Sequence, residues 1–133
     1  MIEQIFVNLP VRNLARSVDF FTALGFTFNP QFTDEKATCM IVGENIFVML
    51  LVEPFFQTFT SKPLADARKA TEVLIALPLP SRARVEELVA LAVAAGARTP
   101  NEAKDLGFMY QHGFEDPDGH LWELFYMDAG PPR

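Results

Sequence analysis

The chain has 133 residues, half of them hydrophobic and 13 of them Phe, with a formal charge of -6; this suits one folded domain with a sizeable core rather than a disordered segment. The acidic balance, with no run of Lys or Arg, removes the electrostatic basis for holding a phosphate backbone, and the longest apolar runs, Ile46 to Val52 and Leu88 to Ala95, fall far short of the roughly 20 residues a membrane-spanning helix needs. No basic segment followed by an apolar stretch opens the chain and Cys39 is the only cysteine, so the expected setting is the cytoplasm, with neither nucleic acid nor membrane as partner.

In chain order, Ile2 to Val11 reads as a strand, and Asn13 caps a helix whose apolar residues Leu14, Val18, Phe21 and Leu24 recur at helical spacing before Gly25 ends it. Three short strands follow, Phe26 to Phe32, Ala37 to Val42 and Ile46 to Val52, separated by turn formers. Residues 53–72 are a linker carrying Phe55, Phe56 and Phe59, readable as an ordinary crossover or as an arm over a pocket. The same order then recurs: strand Val73 to Leu79, a helix capped by Ser81 with Val85, Leu88, Val89 and Ala92 on one face, Gly96 as its stop, and strands Arg98 to Ala103, Phe108 to Glu115 and Leu121 to Tyr126. The pattern predicts an α+β fold of two βαβββ repeats, residues 2–52 and 73–126, with a disordered tail at 129–133.

The stretch from Phe114 to Phe125 carries the chemistry. Asp116-Pro117-Asp118-Gly119 is a turn, because Pro presets φ, Asp bonds to nearby backbone and Gly accepts positive φ. In the strand after it, period 2 puts Leu121, Glu123 and Phe125 on one face and Trp122, Leu124 and Tyr126 on the other. Glu123 is therefore a single acid on a greasy surface, where ionisation is costly unless a cation, a metal or hydrogen-bond donors meet it. His112 shares a strand face with Tyr110 and Phe114, and the two polar groups are candidates to donate hydrogen bonds or carry a proton.

Asn8-Leu9-Pro10-Val11-Arg12-Asn13-Leu14 with Leu24-Gly25-Phe26, followed in a second copy by Asp116-Pro117-Asp118-Gly119-His120-Leu121-Trp122-Glu123-Leu124, resembles the vicinal oxygen chelate superfamily of glyoxalases, bleomycin and fosfomycin resistance proteins and extradiol dioxygenases. The likeness covers Ile2 to Met127 and looks closest to the bacterial lactoylglutathione lyase-like group. It implies that the two repeats curl into a mixed sheet around a ligand cup, in a homodimer, and that a divalent metal is held by inward side chains of the first and fourth strands of each repeat. On that pattern the first-strand ligand positions fall on Phe6 and Leu74, the fourth strand of the first repeat offers only apolar residues such as Met49, and Glu123 alone matches. A shifted set of Asn8, Glu72 and Glu123 would be all-oxygen and would suit Mg²⁺ or Mn²⁺.

The residues thus assigned are Glu123 and His112 as catalytic groups, and Asn8, Tyr110, Phe6, Met49, Leu74 and Phe125 as the ligand-binding lining, with Glu123 the ligand of any metal. The leading expectation is a protein that binds a small organic molecule in an aromatic-rich cup with no cofactor, an acidic wall favouring a cationic or hydrogen-bond-donating ligand. The alternatives are a divalent-metal-dependent lyase or isomerase with Glu123 as ligand and base, and a dimerisation module with no ligand site.

Overall fold

The computed structural model describes residues 1–128; the tail at 129–133, expected from its sequence to be disordered, lies outside the described residues. The chain divides into two units, Met1–Ala65 and Asp66–Arg133.

The first unit runs β1 (Ile5–Val11), α1 (Leu14–Ala23), β2 (Thr27–Asn29), a 3-10 turn (Pro30–Phe32), β3 (Ala37–Gly43), β4 (Ile46–Val52), α2 (Glu53–Phe56) and a second 3-10 turn (Gln57–Phe59). Its four strands lie in the order β1-β4-β3-β2, with β1 parallel to β4 and the other neighbours antiparallel. Helix α1 starts where the Asn13 side chain accepts the Arg16 N–H at 3.0 Å, which satisfies one of the donors a helix start leaves open. It stops at Gly25, whose φ of +97° lets the chain turn away while its N–H reaches the Thr22 carbonyl at 2.9 Å. Phe20, Phe21 and Leu24 of this segment are buried, as are Leu9, Val11, Val48 and Leu50 of the sheet, and full burial of each large side chain contributes about 1.5–3 kcal/mol.

The second unit repeats the plan with β5 (Leu74–Pro78), α3 (Arg82–Ala94), β6 (Lys104–Asp105), β7 (Met109–Glu115) and β8 (Leu121–Met127), in sheet order β5-β8-β7-β6 with β5 parallel to β8. Ser81 caps α3 by accepting the Arg84 N–H at 3.1 Å. Val85, Leu88, Val89 and Ala92 are buried, as are Phe114, Trp122 and Leu124 on the sheet, and the Phe114 and Trp122 rings stack at 6.3 Å. The face of β8 carrying Trp122 and Leu124 is thus the core side, which leaves Glu123 on the other.

Several strands are shorter than the sequence predicts, β1 starting at Ile5 and β5 spanning Leu74–Pro78, and two fall furthest short. The expected strand from Phe26 to Phe32 ends at Asn29, because the Asn29 side chain accepts the Gln31 N–H at 3.0 Å and Pro30 opens the 3-10 turn. The expected strand from Arg98 to Ala103 is only a bridge between Arg98 and Glu115, and regular pairing begins at Lys104. The linker is shared out: α2 sits in the first unit, while Asp66 to Ala70 belongs to the second, where the Arg68 guanidinium donates to the Pro117 carbonyl at 2.8 Å. Gly119, with φ +95°, lets that backbone approach, since a Cβ there would lie 2.6 Å from the Arg68 nitrogen.

Candidate functional site

The sheet face of the second unit that turns away from α3 carries a hollow of about 490 Å³. Strand register explains who lines it. Gly113 pairs with Glu123 and Gln111 with Phe125 across β7 and β8, while Leu74 and Ala76 of β5 stand beside Leu121 and Glu123. Paired residues project to the same side, so Leu74, Ala76, Gln111, Glu123 and Phe125 share the face on which Gly113 leaves a gap, and all of them border the hollow. Lys104, paired with Gln111, joins them from β6.

Glu123 is half-buried in this setting. Its carboxylate lies over Gly113, so closely that a Cβ added there would sit 3.0 Å from Glu123 Oε2. Among the described residues no hydrogen bond or ion pair reaches the Glu123 side chain. A carboxylate flanked by Leu74, Ala76, Gly113 and Phe125 has had part of its water removed with no protein donor in return. It is a ready acceptor for a ligand's positive or N–H group.

The turn before β8 fixes this strand from behind. Asp116, 6% exposed, accepts the N–H groups of Asp118 (2.9 Å) and His120 (3.0 Å) on Oδ1 and the Trp122 indole N–H (3.1 Å) on Oδ2. Burial pushes the Asp116 carboxyl above the ordinary aspartate range, against the pull of nearby His120 and of those donors. The sequence shows a turn here but not the bond to the indole, which locks Trp122 and hence the alternation that aims Glu123 outward.

Tyr110 corrects a sequence expectation. It was expected beside Glu123 in the ligand site, yet it is 8% exposed and on the α3 side of the sheet, where the Arg82 guanidinium covers its ring at 4.2 Å. The cause is parity: Tyr110 pairs with Tyr126, and both lie on the face opposite Glu123. Arg82 also reaches Asp105 at 2.7 Å; the Gly107 N–H first, and Arg82 second, hold the Asp105 carboxyl below its ordinary range. His112 has the parity of Tyr110 but borders the edge of the hollow, its Nε2 lying 3.2 Å from the Asn101 carbonyl oxygen. It therefore ties the segment before β6 to β7 rather than standing next to the Glu123 carboxylate.

Asn8, Phe6 and Met49 share one face of the first unit's sheet, Asn8 paired with Met49 and Phe6 with Phe47. The Phe6 and Phe47 rings stack at 4.8 Å, and Asn8 bonds to the Phe6 carbonyl at 3.4 Å. Residues that sequence reasoning missed include Ala76, Lys104, Gln111 and Gly113 in the hollow; the signals that would have found them are the β5–β8, β6–β7 and β7–β8 registers, which set them on the Glu123 face.

A divalent metal does not fit the face around Glu123. Catalytic sites for such ions take about three protein ligands, whereas the positions flanking Glu123 are Ala76 and Gly113, with Leu74 and Phe125 beyond. Among the described residues no group of three or more His, Cys, Asp or Glu could hold a metal ion. Glu72, offered as part of an all-oxygen set, is exposed, precedes β5 and does not border the hollow. Among the described residues no helix is long and apolar enough to cross a membrane.

A family model described as bleomycin resistance protein-like N-terminal matches residues 4–43. Among solved structures, a hypothetical protein, SA1046, from S. aureus is 30% identical over 95% of this chain and 95% of its own, with a TM-score of 0.81. A glyoxalase-related enzyme from Fulvimarina pelagi shares 19% identity over 99% of this chain and 94% of its own, with a TM-score of 0.83. The fosfomycin resistance protein FosX from Mesorhizobium loti shares 16% over 95% and 93%, with a TM-score of 0.69. No functionally curated protein matches the chain in sequence.

Proposed function

We propose that the chain, whose residues 4–43 match a bleomycin resistance protein-like N-terminal family model and whose fold is shared with glyoxalase/bleomycin resistance/dioxygenase structures, binds a small organic molecule in the hollow of its second unit, directly on Glu123 and without a metal between them. The observation that supports this reading is the Glu123 carboxylate, partnerless among the described residues and laid over Gly113 in a largely apolar wall. A ligand ammonium reaching it forms a charge-assisted hydrogen bond worth about 1.5–3 kcal/mol. The ligand's apolar body gains about 25 cal/mol per Å² buried against Leu74, Ala76 and Phe125. The lyase or isomerase alternative requires ligands that Ala76 and Gly113 do not supply. Homodimerisation belongs to the same proposal, supported by the exposed Ile5, Phe6 and Ile46 along β1 and β4; a cytoplasmic setting is part of it too, on the strength of the single cysteine, Cys39.

Titration by NMR with hexylamine and hexanoate tests the binding reading. Hexylamine is expected to shift the amides of Gly113 and Glu123, hexanoate, which has no cationic group, to bind weakest, and Glu123→Gln to weaken hexylamine about tenfold. Preferential binding of hexanoate, or indifference to Glu123→Gln, would overturn it.

A further inference from the structure

Opposite in charge to Glu123, Lys104 is the one Lys or Arg among the described residues that border the hollow. Lys104 stands on β6, paired with Gln111, and borders the same cavity from the side away from β5. Among the described residues its ammonium makes no hydrogen bond or ion pair. The neighbouring Asp105 cannot serve it: alternation sends Asp105 to the other face, where Arg82 takes its carboxylate at 2.7 Å. Glu102 also borders the hollow, from the segment ahead of β6, and forms no ion pair with Lys104.

The separation of Lys104 from Glu123 follows from the register. They are two strands apart, and Gln111 and Gly113, their partners on β7, are two residues apart; with about 4.8 Å between strands and about 3.4 Å per residue, their Cα atoms stand about 12 Å apart. The two side chains are free to lean toward each other along the sheet yet form no ion pair. Between them lie the Gln111 amide, a donor and an acceptor, and the bare backbone of Gly113.

Resting on the binding reading above, we infer that the ligand is a zwitterion, its cationic group on Glu123 and an anionic group, a carboxylate or its like, on Lys104, with an extended body lying across Gly113 and Gln111. The overall charge of -6 repels a plain anion. Lys104 therefore acts only on an anion whose other end is already held, so the pair of charges selects for both groups at a set spacing and against molecules carrying one of them. Discrimination of that kind comes from the groups left unpaired when the wrong ligand binds.

The test uses 6-aminohexanoate and hexylamine, which differ by the terminal carboxylate, titrated by NMR into the full chain. In the natural protein 6-aminohexanoate is expected to bind about fivefold tighter than hexylamine. In Lys104→Met, which keeps the aliphatic stem at an exposed position, the two are expected to bind alike. If 6-aminohexanoate gains nothing over hexylamine, or keeps its gain in Lys104→Met, the zwitterion inference is overturned while the Glu123 reading stands. If hexylamine binding ignores Glu123→Gln, the Glu123 reading falls as well, and if neither compound binds, both are overturned.

Discussion

Replacing Gly113 by Ala asks whether the Glu123 carboxylate owes its place to the side chain missing beside it. A Cβ on Gly113 would lie 2.5 Å from the Trp122 carbonyl oxygen, 3.0 Å from Glu123 Oε2 and 3.1 Å from its carboxyl carbon. The first contact is with backbone inside the β7–β8 ladder, where Gly113 pairs with Glu123, so only a shift of the strands relieves it. The second displaces the carboxylate itself. Overpacking of this kind costs about 1–3 kcal/mol, partly offset by the roughly 0.5–1 kcal/mol that Ala gains over Gly in a strand, which leaves a net loss of about 1–2 kcal/mol. Each kcal/mol lowers Tm by roughly 3–5 °C in a chain of this size, so calorimetry should record a fall of about 3–10 °C. Hexylamine affinity, followed by NMR in the same variant, should drop about tenfold as the acceptor moves. A Gly113→Ala protein with unchanged Tm and full hexylamine binding would refute the idea that this glycine seats the acid.

Leu74 is 54% exposed on the hollow face, so Leu74→Ala should leave denaturant stability within about 0.5 kcal/mol while weakening hexylamine about threefold through lost apolar contact; a large stability loss with unchanged binding would place Leu74 elsewhere. Ser81→Ala removes the cap on the Arg84 N–H and should lower the urea-derived stability by about 1 kcal/mol. For Asp116, burial raises the folded-state pKa, so the folded chain holds this proton more tightly than the unfolded one. Its contribution to stability is full below the ordinary aspartate value near 3.9 and is lost as pH rises through the raised folded value. Carboxyl-carbon NMR should show Asp116 titrating above the ordinary range, and a midpoint below it would reverse the sign.

Much of the fold was legible because its punctuation is local chemistry. Asn13 and Ser81 each accept the N–H three residues on, and Gly25 and Gly96 each take positive φ at the helix ends, as the repeated pattern implied. Period 2 after the turn was enough to set Glu123 and Phe125 against Trp122 and Leu124. Where reading failed, a non-local partner decided. Tyr110 is expected on the ligand face because one strand's alternation does not say which side is the core; its pairing with Tyr126 and the Arg82 cover do. Lys104 falls outside every expected strand because the strand expected there ends at Ala103, and only the register with Gln111 shows that regular pairing begins at Lys104. The buried bond from the Trp122 indole to Asp116 spans a turn whose composition alone accounts for its bend.

Whether a ligand meets Glu123 itself, with no ion interposed, is decided by titrating hexylamine calorimetrically into protein treated with a chelator and into the same protein reloaded with Zn²⁺ or Mn²⁺. The donor-poor surroundings of Glu123, with Ala76 and Gly113 at the flanking positions, predict the same Kd in all three samples. Binding that vanishes on chelation and returns with the metal would contradict it.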